Sequence, residues 1–522
     1  MISIARRQTL ADLVRRSAGR FPSKLAIACG ATRWTFAKFN EIVERLAGAL
    51  ADRGIAVGDR VAVLSRNSHG FAALRFALAR IGAVLVPINF MLKTEEVAYI
   101  LRHSGARMLA TDTEFAALGR AAAADTAVSE FVWLPSEDVT EPVDGMARFD
   151  ALIASGLAPP DIDLGGTELA QIVYTSGTES SPKGAMLTHD AVIAEYVSCV
   201  VDAEIASNDL VLHALPLYHC AQLDVFLGPA IYVGGTSFIT AKPTPDNLLS
   251  MIAKHRIQSF FAPPTVWIAL LRSPSFARTD LDSLQKGYYG ASIMPVEVLR
   301  ELASRLPNVR LWNLYGQTEI APVATILAPA DQLRKAGSAG RPVVNVETRV
   351  VDDAMRDVAP GEVGEIVHRS PQLMLGYYKD ESRTEAAFSG GWFHSGDLGV
   401  LDEDGYLTVV DRKKDMIKTG GENVASREVE EVIYQLPGIS EVAVIGVPHP
   451  VWIEGVVAIV VVKQGYAPGE LDVKSHCAGH LAGFKTPKRI VFVDALPKNP
   501  SGKLLKRELR DRYVAIFANE AA

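Results

Sequence analysis

The stretch that most constrains this chain is Tyr174-Thr-Ser-Gly-Thr-Glu-Ser-Ser-Pro-Lys-Gly-Ala-Met-Leu-Thr-His189. The apolar run from Leu169 to Val173 ahead of it reads as a buried strand, and the segment from Asp190 reads as a helix. Hydroxyls, glycines, a proline and a lysine lie between them. That chemistry suits a loop wrapped around an anionic phosphate, with backbone N–H groups that approach closely, hydroxyl donors and one mobile cation. The common nucleotide loop G-x-x-x-x-G-K-[ST] fits only in part. Gly177 and Lys183 stand at the right separation, but Pro182 occupies the glycine position before the lysine, and Gly184 replaces the Ser/Thr that would hold Mg²⁺.

The surrounding pattern supplies the sheet such a loop needs. Helical spacing from Thr35 to Arg53 leads through a glycine turn into a strand from Arg60 to Ser65, and helical Gly70 to Gly82 leads into a strand from Ala83 to Pro87. Helix followed by buried apolar strand, repeated, predicts a parallel α/β sheet. Further strands are expected at Val211 to Leu215, Thr236 to Thr240 and Ser259 to Ala262, and an exposed helix over the Ala-rich Phe115 to Ala127. After about Val346 the texture changes to short alternating runs broken by turns, at Glu347 to Val351, Gly364 to Arg369 and Tyr406 to Val410, which predicts a small β-rich part. The charge run Asp411-Arg-Lys-Lys-Asp415 then precedes a final α+β block with a helix at Ser426 to Tyr434 and strands at Glu441 to Val447 and Val456 to Lys463. Its position between two compact segments makes it a hinge rather than only a solvated face.

A chain of 522 residues, 48% hydrophobic, can bury a large core in more than one domain. The net charge of -7 argues against a nucleic acid or an anionic membrane as main partner. Cys29, Cys199, Cys220 and Cys477 are too scattered for a disulfide framework or a zinc site. No window offers the roughly 18 uninterrupted apolar residues of a membrane span, and the N-terminus reaches Arg6 and Arg7 before any apolar core, unlike a secretory signal. A cytoplasmic protein is the default expectation.

The loop departs from the Mg²⁺-holding nucleotide pattern towards T-S-G-T-T-G-x-P-K-G, and here the chain resembles the adenylate-forming superfamily of acyl-CoA synthetases, nonribosomal adenylation domains and luciferases. Glu179 and Ser180 depart from that pattern. Four more stretches carry the resemblance in the same order: Asn313 to Glu319 (Y-G-x-T-E), Gly391 to Asp397 (G-W-x-x-T-G-D), Gly405 to Asn423 (the hinge and the segment after it) and Pro497 to Lys503 (the C-terminal lysine loop). The resemblance implies an N-terminal adenylate-forming region over residues 1–410, with α/β subdomains of parallel sheets plus a small β-rich one. A smaller, mobile α+β domain would follow over 411–522, with its hinge near Lys414.

It also implies roles. Lys503 would contact the carboxylate and the α-phosphate during adenylation; Glu319 would hold Mg²⁺; Thr318, Lys183 and the loop Thr175, Ser176, Gly177 and Thr178 would hold the phosphates. Asp397 and Arg412 would bond the ribose hydroxyls, and Tyr315, with Gly316 and Gln317 beside it, would face adenine next to the turn Gly290, Ala291, Ser292. Rotation about Lys414 would bring Gly420 and Gly421 to the site, where a pantetheine tunnel forms. Tyr218 and His219 resemble the aromatic gate beside the carboxyl group; Gln222, Asp224, Tyr288 and Trp312 are candidate acyl-pocket residues, although Asp224 can equally pair or cap within the structure. The neighbours His219 and Cys220 do not make a nucleophilic pair, because adjacent side chains diverge on a helix or strand.

The expected reaction uses ATP and Mg²⁺ to convert a small-molecule carboxylic acid to an acyl-adenylate and passes the acyl group to coenzyme A. A medium- to long-chain fatty acid is the leading substrate and an aromatic acid its companion. Two rivals change the acceptor, to an amine in an amide-bond synthetase or to a carrier protein in a loading ligase. Neither a nucleic-acid partner nor a membrane span is expected, and a homodimer is one open arrangement.

Overall fold

The computed structural model describes residues 5–138, 141–175, 182–290, 292, 294–413, 416–498 and 504–518. Two large sheets and two small ones carry the chain. The nine-stranded sheet runs in the order Arg341–Pro342, Val323–Leu327, Arg310–Gly316, Lys286–Gly290, Ser259–Phe261, Leu210–His213, Thr236–Ile239, Leu25–Cys29 and Thr32–Thr35. Its strands from Arg310–Gly316 through Leu25–Cys29 are parallel, and the flanking ones antiparallel. The seven-stranded sheet runs Ala147–Arg148, Glu130–Trp133, Met108–Thr111, Arg60–Leu64, Val84–Pro87, Leu169–Thr175 and Lys183–Thr188, parallel except at the last pair.

The core between these sheets follows from helix patterning. Helix Phe36–Asp52 starts where the Thr35 hydroxyl accepts from the Lys38 N–H, and it buries Phe36, Phe39, Ile42, Val43, Leu46 and Leu50. Each such side chain contributes about 1.5–3 kcal/mol on burial. These residues share one core with Ile27 and Ile239 of the nine-stranded sheet, Val61, Val63 and Leu85 of the seven-stranded sheet, and helices Leu10–Arg20 and His69–Ile81. Helices are thus sandwiched between the two sheets, as parallel strands with apolar residues on both faces require.

The segment expected to be helical from Asp190 is helical from His189, whereas part of the stretch read as loop, Lys183–Thr188, is a strand paired antiparallel with Leu169–Thr175. The Ala-rich helix is shorter than expected, Ala116–Ala123, and is not simply exposed, because Ala116, Gly119, Ala122 and Ala123 are buried.

The β-rich part is a four-stranded antiparallel sheet, Glu347–Val351, Gly364–Arg369, Phe393–Leu401 and Leu407–Arg412. Beyond it the chain forms an α+β unit: strands Ile417–Thr419, Glu422–Val424, Ile439–His449, Ile453–Val462 and Arg489–Phe492 with helices Ser426–Tyr434, Glu470–His480 and Lys506–Tyr513. Helix Ser426–Tyr434 meets the preceding region through Arg427, which donates to the carbonyls of Val409 and Gly337, and through Glu431, whose Oε1 accepts from the Val296 N–H at 3.2 Å.

Candidate active site

Ligands of open parallel sheets bind beyond the carboxyl ends of the strands. Strands from both sheets end together here: Leu169–Thr175 at Thr175, Arg310–Gly316 ahead of Gln317 and Thr318, Lys286–Gly290 ahead of Ser292, and Leu210–His213 ahead of Tyr218 and His219. Ser176, Gly177, Thr178, Ala291, Lys414 and Lys503 lie outside the described residues. The edges of two of those segments are fixed. Thr175 faces Lys183 across the hairpin mouth, and Lys498 bridges to Leu504 on either side of the C-terminal lysine loop.

A chain of polar contacts links the sequence candidates. The Lys183 ammonium lies 5.1 Å from the ring centroid of Tyr377, and the Tyr377 hydroxyl donates to Glu319 Oε1 at 2.9 Å. The Glu319 carbonyl accepts from the Met374 N–H at 2.9 Å, which holds the short turn Thr318–Ile320 in place. Gly316 is needed ahead of that turn, since a Cβ there would lie 1.9 Å from the Pro322 carbonyl oxygen. The Thr318 hydroxyl is 3.3 Å from Cys220 Sγ. On the β-rich side the Tyr315 hydroxyl donates to Asp397 Oδ2 at 2.8 Å, and Arg412 Nε lies 3.4 Å from Asp397 Oδ1, the two residues being cross-strand partners. Burial and the Asp397 carboxylate both push the Tyr315 phenol well above its usual range, so it stays a donor.

Glu319 is a single carboxylate at the hairpin mouth, and no cluster of metal-ligating side chains forms among the described residues. That donor set fits Mg²⁺, which binds through one or two carboxylates together with substrate phosphates. His219 caps the short helix Cys220–Gln222, its Nδ1 accepting from the Ala221 N–H at 3.1 Å, which places the imidazole proton on Nε2. Burial pushes the Cys220 thiol up, so it is no thiolate nucleophile.

Four of the candidate pocket residues turn inwards. Gln222 accepts from the Leu215 N–H at 3.1 Å and pairs with His213 Nδ1 at 2.8 Å. Asp224, 0% exposed, accepts from Arg75 at 2.7 Å, Gln171 at 2.7 Å and Tyr196 at 3.3 Å. Both side chains satisfy buried partners instead of facing a ligand. Tyr288 stacks on Trp312 at 5.0 Å, and its hydroxyl is used by the Ala203 carbonyl at 2.7 Å. With Phe226 and Phe261 these rings form a closed core, which replaces the expected lining role by packing.

Gly420 and Gly421 form the two-residue turn between Ile417–Thr419 and Glu422–Val424, with φ of 60° and 88°. Positive φ at both positions is what a tight hairpin of this hand demands. Beside them, Trp452 is 42% exposed, its carbonyl accepts from the Gly420 N–H at 2.9 Å, and the Lys488 ammonium sits 5.2 Å from its ring. Sequence reasoning missed Arg75, Gln171, Tyr377, Trp452 and Lys488. None carries a local signal, because each acts through a partner distant in sequence.

Carboxyl ends of parallel strands from two sheets, the mouth of the Leu169–Thr175/Lys183–Thr188 hairpin and a separate α+β unit beyond them form the kind of α/β architecture that binds ligands at its strand ends. The chain belongs to the AMP-binding enzyme family, which it matches over residues 14–378, with the AMP-binding enzyme C-terminal domain matched over residues 428–503. It is 36% identical over 508 residues to a feruloyl-CoA synthase of Amycolatopsis sp, covering 97% of this chain and 100% of that protein. It is also 36% identical over 485 residues to a long-chain-fatty-acid–CoA ligase of Mycobacterium tuberculosis, covering 92% and 94%. Among solved structures, an anthranilate CoA ligase in complex with anthranoyl-AMP superposes with a TM-score of 0.91 at 26% identity, covering 98% of each chain. The protein is an AMP-forming acid–thiol ligase that uses ATP and CoA.

Proposed function

We propose that this enzyme activates a free carboxylic acid as its acyl-AMP, with Mg²⁺ on the phosphates, and hands the acyl group to the CoA thiol. The observation that carries the residue assignments is the continuous set of contacts from Lys183 through Tyr377 to Glu319, flanked by Tyr315, Asp397 and Arg412.

The obstacle to adenylation is electrostatic. A carboxylate 4 Å from one phosphate charge is repelled by roughly 4 kcal/mol at an effective dielectric of 20. In this reading Thr175, Ser176, Gly177, Thr178, Lys183 and Thr318 offset that cost by holding the phosphates, and Lys503 neutralises both reactants. Glu319 holds the Mg²⁺, which supplies Lewis-acid charge neutralisation when bound. Asp397 and Arg412 bind the ribose, while Tyr315 and the turn at Gly290, Ala291 and Ser292 flank adenine. Gln317 Nε2 is buried without a partner among the described residues, as fits a donor kept for the nucleotide.

The α+β unit from 411 onward then turns about Lys414 to bring Gly420 and Gly421 in for the second half-reaction. CoA as acceptor is supported by the Trp452–Lys488 pair beside that turn, a flat ring and a cation suited to adenine and phosphate. An amine acceptor would need a general base within reach, and Asp224 is sealed in its ion pair. We place the enzyme in the cytoplasm, where ATP and CoA are found, and no helix among the described residues is long and apolar enough to cross a membrane.

The test is ATP–pyrophosphate exchange with aliphatic and aromatic acids, followed by mass spectrometry of the products with CoA and, separately, with amines. Acid-dependent exchange with acyl-CoA formation is the expected result. Exchange followed by ligation only to amines would overturn the acceptor assignment.

A further inference from the structure

Helix Thr94–Ser104 holds none of the residues assigned to the reaction so far, yet its last turn meets three of the segments that do. The Tyr174 hydroxyl and His103 Nδ1 lie 2.8 Å apart, and Tyr174 directly precedes Thr175. One turn earlier on the same helix, the Tyr99 hydroxyl donates to the Pro182 carbonyl at 3.4 Å, and Pro182 directly precedes Lys183. From a third side the Lys379 ammonium donates to the His103 carbonyl at 2.8 Å, and the Tyr378 ring stands edge-on to the imidazole at 5.8 Å. Tyr378 directly follows Tyr377, the partner of Glu319.

These contacts brace one another. Positions 99 and 103 are one helical turn apart, so their side chains share a face, and the two rings stack at 5.5 Å. Tyr174 pairs across the hairpin with Gly184, where a Cβ would come within 3.2 Å of Tyr174 Cζ. The glycine therefore leaves room for the Tyr174 ring on its way to His103. The Gly184 carbonyl in turn accepts from the Tyr378 N–H at 2.8 Å. Burial raises the Tyr174 phenol above its usual range, and burial with Lys379 nearby lowers the His103 imidazole. The phenol is thus protonated and the imidazole neutral, and the hydroxyl donates to Nδ1.

We propose that His103, assisted by Tyr99, is a positioning residue for ATP, fixing Thr175, Lys183 and the Tyr377–Glu319 pair at the spacing the β- and γ-phosphates require. No atom of His103 needs to touch the nucleotide. A site held in its binding geometry avoids an ordering cost at each binding event, and loosening it weakens the apparent affinity in proportion to the competent fraction lost. The effect falls on the phosphates beyond the α position, because Tyr315, Asp397 and Arg412, proposed for the adenosine, are held by one another on other elements. This inference rests on the phosphate-holding roles proposed above for Thr175 and Lys183 and adds what keeps those residues in place.

The experiment measures, by calorimetry, binding of α,β-methylene-ATP with Mg²⁺ and of AMP to the native enzyme, Tyr174→Phe, His103→Phe, the double variant, His103→Asn and Lys183→Ala. Tyr174→Phe keeps the ring beside Gly184 and His103→Phe keeps a ring beside Tyr99, so each removes one partner of the hydrogen bond and little else. Each should weaken the ATP analogue about three- to tenfold while changing AMP by less than about twofold. The double variant should lose no more than either single one, as a shared bond requires. His103→Asn, whose amide reaches the Nδ1 position, should bind the analogue within about twofold of native. The melting temperature of Tyr174→Phe should stay within about 4 °C of the native value, so that the comparison is between folded proteins. Native-like binding of the analogue by both single variants, equal losses for the analogue and AMP, additive losses in the double variant, or His103→Asn as weak as His103→Phe would each overturn the positioning role. Lys183→Ala separates that result from a failure of the assignment beneath it. It should weaken the analogue by about tenfold or more, and unchanged binding there would remove the phosphate site itself and the proposal with it.

Discussion

The residue with the most decisive surroundings is Asp224, whose carboxylate is fully enclosed by Arg75, Gln171 and Tyr196. Arg75 is 1% exposed and lies in the middle of helix His69–Ile81, while Asp224 lies in a π-helical turn, Leu223–Leu227. A buried pair of this kind adds little net stability over an apolar pair of the same volume, but removing one partner leaves an uncompensated charge and costs about 3–5 kcal/mol. Asp224→Asn should therefore lower the melting temperature sharply by stranding Arg75, and the pair Arg75→Met with Asp224→Leu should recover much of it. A single variant as stable as the native protein would show that the pair is not the anchor its geometry describes. At the nucleotide end, Asp397→Ala should raise KM for ATP by about tenfold or more, since a charge-assisted bond is worth about 1.5–3 kcal/mol. Isothermal titration with a non-hydrolysable ATP analogue checks this, and unchanged affinity would remove Asp397 from the ribose.

Among the elements, the hairpin Ile417–Val424 makes the sharpest separation between folding and function. A Cβ on Gly420 would come within 2.9 Å of the Trp452 ring, whereas one on Gly421 meets nothing within 4 Å, although both positions have positive φ. An L-residue in the left-handed region costs about 1–2 kcal/mol, so Gly421→Trp should lower the melting temperature only modestly. It should abolish thioester formation and spare pyrophosphate exchange, and equal loss of both half-reactions would refute a role for this turn in the CoA step. The same elements show how far sequence reaches. Glu347–Val351, Gly364–Arg369 and Ser426–Tyr434 fall where alternation and helical spacing put them, because each pattern is contained within the element. Strand Lys183–Thr188 was illegible, since Lys-Gly-Ala-Met-Leu-Thr has weak strand chemistry and is held by its pairing with Leu169–Thr175. The Tyr315–Asp397 contact joins residues 82 apart, and Arg75–Asp224 joins residues 149 apart. The glycine- and hydroxyl-rich stretch after Leu169–Thr175 stands out locally, the proposed adenosine residues rest on family resemblance, and the buried ion pair had no sequence signature at all.

At the scale of the molecule, two features bear on the conditions under which the enzyme works. His69, His189, His213 and His368 are buried, and loss of solvation lowers their pKa values to about 4, 3, 3 and 3. Unfolding returns each to about 6.5, so below that pH the unfolded chain binds more protons and stability falls with falling pH until the folded pKa is reached. At pH 5 each histidine should contribute a loss of about 2 kcal/mol. The melting temperature should drop steeply between pH 6.5 and 5, and His213→Gln should flatten that slope; a flat profile for the native enzyme would contradict the burial of these rings. The second feature is the seam at helix Ser426–Tyr434, where Arg427 donates to the carbonyls of Gly337 and Val409 and Glu431 accepts from Val296. These bonds cross from the α+β unit to the large region and favour the orientation seen here. If the two half-reactions use different orientations, weakening the seam redistributes the enzyme between them, and a change of 1.4 kcal/mol shifts that balance about tenfold. Arg427→Ala should accordingly slow the half-reaction served by this orientation and quicken the other, measured as pyrophosphate exchange against single-turnover transfer of preformed acyl-AMP to CoA. Parallel changes in both rates would mean that the seam holds the fold together without selecting between states.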